Sequence, residues 1–449
     1  SNGYSIASFM GRFNYSFADK YIATVNMRAD GSSKLGANNK WGFFPSASLA
    51  WVLKEESFLK DVDVVSNLKI RTGYGLTGNQ DAISAYNSLK LMSPIGVTTV
   101  NGKPVVTYGI NRNDNPDLKW EVKRMFDIGI DAGFFEDRLT GTLDYYYSKT
   151  SDLLYNYAVP PFAFNTLLAN LGEIENTGIE VAVTGVPVKT KDMELTISAN
   201  FSWQKNKLLS LSGSYMGQSL SAKEYMNLGG MNGAGFIGGN NQVIYQMVGQ
   251  PLGVFYLPKC DGLIDMNGNG EYTYHILDID GQEGIDLSDG KDRYIAGQAM
   301  PKFYLGGNIS FRYKQFDIQT QFSGAFGHKI YNGTSLSYMN MSLFPTYNVM
   351  KGAPEKNIHD QTVTDYWLER GDYVHIDYVT LGWNLNTKNL KNINSLRLTF
   401  SVNNLATITN YSGLSPMINS STVGSDLGVD DKRFYPLTRT YSLGLSLNF

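Results

Sequence analysis

Apolar and polar residues alternate with a period of two along much of this chain, in runs longer than ordinary strands. In the last run Tyr441, Leu443, Leu445, Leu447 and Phe449 share one face, and Thr440, Ser442, Gly444, Ser446 and Asn448 share the other. Phe126, Ile128, Ile130, Ala132 and Phe134 oppose Asp127, Gly129, Asp131 and Gly133 in the same way. So do Leu195, Ile197, Ala199, Phe201 and Trp203 against Thr196, Ser198, Asn200 and Ser202. Successive side chains of a strand point to opposite faces, so this pattern predicts half-apolar β-strands. About 13 segments follow it: 6–17, 21–33, 43–53, 67–77, 119–135, 138–154, 175–188, 193–209, 301–314, 316–331, 370–386, 395–407 and 437–449. Their ~10–16 residues exceed the ~5–6 of an ordinary strand and suit a tilted crossing of a bilayer.

The predicted connections sort by length. Short ones fall at 18–20, 136–137, 190–192 and 315, with medium ones at 54–66 and 387–394. The alternate set is long: 34–42, 78–118, 155–174, 210–300, 332–369 and 408–436. Short turns at one end and long loops at the other is the layout of an outer-membrane barrel. It puts the C-terminus on the periplasmic, short-turn side. A soluble β-sandwich or a soluble glycan-binding or glycan-degrading β-protein has no reason to sort its loops so.

Composition supports this reading and excludes others. Charged residues make up 18% of 449, below the ~25% of soluble domains, and aromatic residues 13%. No run approaches ~18 apolar residues, so no helical span is expected. The single Cys260 excludes a disulfide framework and a Cys-based zinc site. A net charge of −3 leaves no basic field for nucleic acid. Ser1–Ile6 has no secretory signal. An odd number of strands does not close a bacterial barrel of this kind. The expectation is therefore the C-terminal part of a larger all-β transmembrane barrel.

Ordered pieces along the chain carry a resemblance. They are Arg28-Ala29-Asp30-Gly31-Ser32-Ser33, Trp41-Gly42-Phe43-Phe44-Pro45-Ser46, Leu68-Lys69-Ile70-Arg71 and Thr77-Gly78-Asn79. Asn115-Pro116, Leu118-Lys119-Trp120-Glu121, Asp144-Tyr145-Tyr146 and Asn176-Thr177-Gly178-Ile179-Glu180 follow. Pro301-Lys302-Phe303, Asn403-Asn404-Leu405, Tyr411-Ser412-Gly413 and the strand ending in Phe449 complete the set. In this order and spacing the chain resembles the C-terminal barrel region of SusC/RagA-type TonB-dependent transporters of the Bacteroidota outer membrane. The resemblance implies a 22-stranded barrel with a plug in its lumen, of which these would be the last 13 strands. It also implies import of oligosaccharides, peptides or other nutrients, a SusD-like lipoprotein partner, and coupling to the TonB complex through an N-terminal part outside this chain. One departure is His375, where that family often carries Arg. A different class stays open, an outer-membrane β-barrel with a structural or adhesive role.

Two groups of residues are candidate sites. Asp278, Asp280, Gln282, Asp286 and Asp289 fall at positions 1, 3, 5, 9 and 12 of an EF-hand-like loop, with the Gly284 carbonyl at position 7. Glu283 stands at position 6, where Gly is expected. A structural Ca²⁺ is the reading, with an ion-free Asp/Asn/Gly turn cluster as its alternative. Upstream, Asp265, Asn267, Asn269 and Gly270 match the start of such a loop, which fails at Ile276. The second group is aromatic: Tyr155, Phe162, Phe164, Tyr215, Tyr245, Phe344 and Trp367 lie in long loops as substrate-contact candidates, with loop self-packing as the alternative. No catalytic constellation is present: the four His are scattered, and neither a nucleophile elbow nor a phosphate loop occurs. No enzymatic activity is expected.

Overall fold

The computed structural model describes residues 3–449 except 113, 159–165, 216–217, 222–224, 231–241, 283, 288–290, 343, 388–392, 421–426, 431–434 and 436. Thirteen strands hydrogen-bond to one another in chain order. They are β1 (Ile6–Phe17), β2 (Tyr21–Ser32), β3 (Ser46–Val52), β4 (Val65–Asn79), β5 (Glu121–Phe134), β6 (Leu139–Ser151) and β7 (Glu173–Lys189). The rest are β8 (Met193–Ser210), β9 (Phe303–Tyr313), β10 (Phe316–Phe326), β11 (Tyr373–Leu385), β12 (Ser395–Thr409) and β13 (Thr440–Asn448). Every segment expected from the alternation is present, as a partial barrel wall. One is divided: the expected strand 43–53 is a short strand at Trp41–Phe43 and then β3, both paired with β2. Pro45 stands in the gap, where it has no N–H to give to a ladder.

Register keeps the two faces separate. Ile197 stands opposite Ile309 and Ser198 opposite Asn308 across β8–β9. Phe400 opposes Leu443 and Ser401 opposes Ser442 across β12–β13. A slip of one residue would exchange the faces. The apolar face is the exposed one: Ile197, Phe201, Ile309, Leu381, Leu398, Phe400, Leu443 and Leu445 are all solvent-accessible. Such a surface is stable only against an apolar medium. Rings mark both ends of this face on β9 and β10. Phe303 stacks on Phe201 at 5.9 Å, and ten residues further Tyr313 pairs with Phe316, which stacks on Trp383 at 5.8 Å. Ten residues at ~3.4 Å each, tilted by ~45°, rise about 25 Å, the height of the apolar band of an outer-membrane barrel.

The tight connections have the backbone their length demands. Ala18 and Asp19 join β1 to β2 with φ of 53° and 54°. Paired positive φ is the type I′ geometry that matches strand twist. No helix among the described residues is long and apolar enough to cross a membrane.

The chain forms two compact units. The first comprises 1–136, 142–179 and 206–225; the second comprises 137–141, 180–205 and 226–449. In the first, the connections 33–45, 80–120 and 152–172 leave the same end of the strands and share a small core of Leu35, Phe44, Ile83, Leu118, Trp120 and Leu168. In the second, described parts of 226–302, 327–372 and 410–439 build a larger core around Val243, Ile244, Phe255, Leu257, Tyr331, Leu336 and Ile358. Helices α1 (Gly333–Tyr338) and α2 (Ala353–Lys356) lie within it.

Candidate functional site

The long-loop end of each unit holds the chemistry. In the first unit, two asparagines lock the rim. Asn115 donates from Nδ2 to the Leu168 carbonyl at 2.9 Å and accepts the Asp117 N–H at 3.1 Å. Asn170 accepts the Lys119 N–H at 2.8 Å and donates to the Lys119 carbonyl at 2.7 Å. Lys119 then pairs with Asp152 at 2.8 Å. Beside these residues is a polar cavity of about 480 Å³ lined by Asn39, Asp117, Lys119, Asp152, Asn170 and Ser212. A second cavity of about 480 Å³ lies at the outer end of β1–β5, walled by Asn26, Arg28, Asp30, Ser46, Gln80 and Trp120. Along the polar face the charges are paired. Arg71 reaches Asp144 at 2.7 Å and Asp131 at 3.2 Å, and Lys69 reaches Asp131 at 2.8 Å. Gly129 makes room: a Cβ there would collide with Asp144 and Arg71.

In the second unit, polar side chains tie the loop core together. Trp367 donates from Nε1 to the Tyr274 hydroxyl at 2.7 Å, and burial pushes the Tyr274 phenol pKa far up. Asp365 accepts the Cys260 N–H at 2.7 Å and the Tyr294 hydroxyl at 2.6 Å. These bonds join positions 71 to 105 residues apart in sequence.

Two acidic turns border this core. Asp265 accepts the N–H groups of Asn267 and Asn269 at 3.2 Å each and of Gly270 at 2.8 Å. These bonds, led by Gly270's, hold its carboxyl below the usual range. In the second turn, Asp278, Asp280 and Asp292 each bring a carboxylate oxygen within 4.8 Å of the others. Asp292 is fully buried and accepts the N–H groups of Asp286 at 2.7 Å and Ile279 at 2.8 Å. Those two bonds are the main reason its carboxyl lies low.

Comparison with known proteins gives this geometry a family. Residues 1–405 match the model of the TonB-dependent receptor-like β-barrel. The chain belongs to that family. Its members are outer-membrane proteins, and the exposed apolar face is accordingly the lipid-facing one. The TonB-dependent receptor P3 of Formosa agariphila is 32% identical over all of this chain and 46% of its own length. The TonB-dependent receptor SusC of Bacteroides thetaiotaomicron is 30% identical over 99% of this chain and 44% of its own. The chain thus spans about half the length of these relatives. A solved structure of the RagAB peptide transporter shares the fold, with a TM-score of 0.77 at 23% identity, over 99% of this chain and 48% of that one.

The expected site residues of this TonB-dependent receptor barrel are distributed as follows. Tyr245 is buried, edge-on to Tyr256 at 5.5 Å, and its hydroxyl accepts from Arg293 at 3.2 Å. Trp367 is buried in the loop core. Tyr155 is half-buried, on the short strand Leu154–Ala158. Phe344 is exposed. The backbone of Tyr215 lies in the strand Ser212–Tyr215. Phe162 and Phe164 lie outside the described residues, as does Asp289. None of these aromatics lines either of the two cavities described above.

Of the acidic loop, Asp278 and Asp280 converge. Asp286 turns toward Lys291, at 3.7 Å. Gln282 is exposed, and its N–H bonds Asp280 at 2.9 Å. Gly284 supplies a left-handed turn, with φ 94°. The buried member, Asp292, was missed, because the EF-hand spacing stops three residues before it. His375 is a satisfied, buried member of the polar face, bonded to Thr407 at 2.8 Å.

Proposed function

We propose that this chain is wall and outer loop layer of a TonB-dependent importer that carries oligosaccharides or other nutrients across the outer membrane. The observation that carries the reading is the loop layer. Its second-unit core buries Phe255, Leu257, Tyr331 and Leu336 completely. Loops packed this well present a fixed surface to a ligand or partner, as binding loops on rigid scaffolds do. The resemblance to SusC/RagA-type transporters makes a glycan the first reading, and the fold likeness to the RagAB peptide transporter keeps a peptide as the second. The loop side is the face a SusD-like lipoprotein would cover. Coupling to TonB belongs to the part of such receptors that precedes this region. The structural or adhesive barrel is the competing class. Co-purification from native outer membranes tests this. Import predicts that a surface lipoprotein comes out with the full-length protein in detergent. Recovery of the protein alone from every mild detergent favours the structural role.

We also propose a structural Ca²⁺ in the second acidic turn, held by Asp278 and Asp280 with Asp292 behind them. Three carboxylate oxygens within 4.8 Å of one another are close enough to share one cation. Ca²⁺ takes oxygen ligands from flexible loops of this kind. The ion would staple the loop and take no part in transport chemistry.

A further inference from the structure

No further inference is drawn: the strongest candidate, the exposed apolar face that Met92, Pro94, Val97, Val106 and Tyr108 form on the hairpin of strands Leu91–Val100 and Lys103–Arg112 in the long loop 80–120, carries nothing, because nothing in the structure shows what covers it.

Discussion

Ile309→Arg tests the orientation of the wall. Ile309 lies mid-way along β9, exposed, between Ile197 of β8 and Thr320 of β10 on the apolar face. The aromatic pairs at Phe303 and Tyr313 bracket it, so the charge would lie near the bilayer centre. A cation on the lipid face at that depth costs about 2–4 kcal/mol. That is a roughly 30- to 1,000-fold fall in the folded-to-unfolded ratio. Ser310→Arg is the control. Ser310 faces the other way, opposite Thr196 and Gln319, where the wall is polar. Its cost should stay below ~1 kcal/mol. The assay is reversible urea unfolding in lipid vesicles, followed by heat-modifiable gel migration. Equal midpoints for the two variants would refute the assignment of faces.

Other consequences follow from the loop layer. His328 is buried without a hydrogen bond at Nδ1, and burial lowers its pKa to about 4. A lowered folded pKa means that the unfolded chain takes up the proton first, so loop stability holds above pH 6.5 and falls between 6.5 and about 4. The loss is roughly 3 kcal/mol; hydrogen exchange at Tyr331 and Phe255 should report it, and His328→Gln should flatten the dependence. Asp292 has a lowered carboxyl, so its support is present above the unfolded value and lost as pH falls below it, in a more acid window than that of His328. Ca²⁺ added after chelation should give calorimetric heat that Asp278→Asn or Asp280→Asn abolishes; no heat from the parent leaves an ion-free turn. Phe255→Ala, at a fully buried position, should cost about 3–5 kcal/mol and open the loop layer to limited proteolysis while leaving the strands protected. An unchanged cleavage pattern would mean that the loops do not share a core.

The wall was legible from sequence because its information is local. Alternation at Leu195–Trp203 or Tyr441–Phe449 fixes both the strand and its face, and a turn as short as Ala18–Lys20 fixes its neighbour. The loop layer was not, because its contacts join distant residues. Trp367 reads as a loop aromatic until Tyr274, 93 positions away, takes its N–H. Tyr245 reads the same way until Tyr256 and Arg293 close over it. The acidic turn was half legible. A spacing rule finds Asp278 and Asp280, but Asp292 enters through backbone bonds that no periodicity encodes. Trp120 reads in the sequence only as part of the piece Leu118-Lys119-Trp120-Glu121, and no periodicity shows that its N–H is buried without a partner among the described residues.

The most direct test of the account is uptake. A strain lacking the full-length gene is given fluorescent neutral oligosaccharides and, in parallel, fluorescent short peptides, and accumulation is followed with the protonmotive force intact and collapsed. The account predicts that one class of solute enters only when the protein is present and the membrane is energised, and that the restored gene returns it. Accumulation that is the same with and without the protein, for every saccharide and peptide tried, would contradict it and leave a barrel that serves the outer membrane as structure.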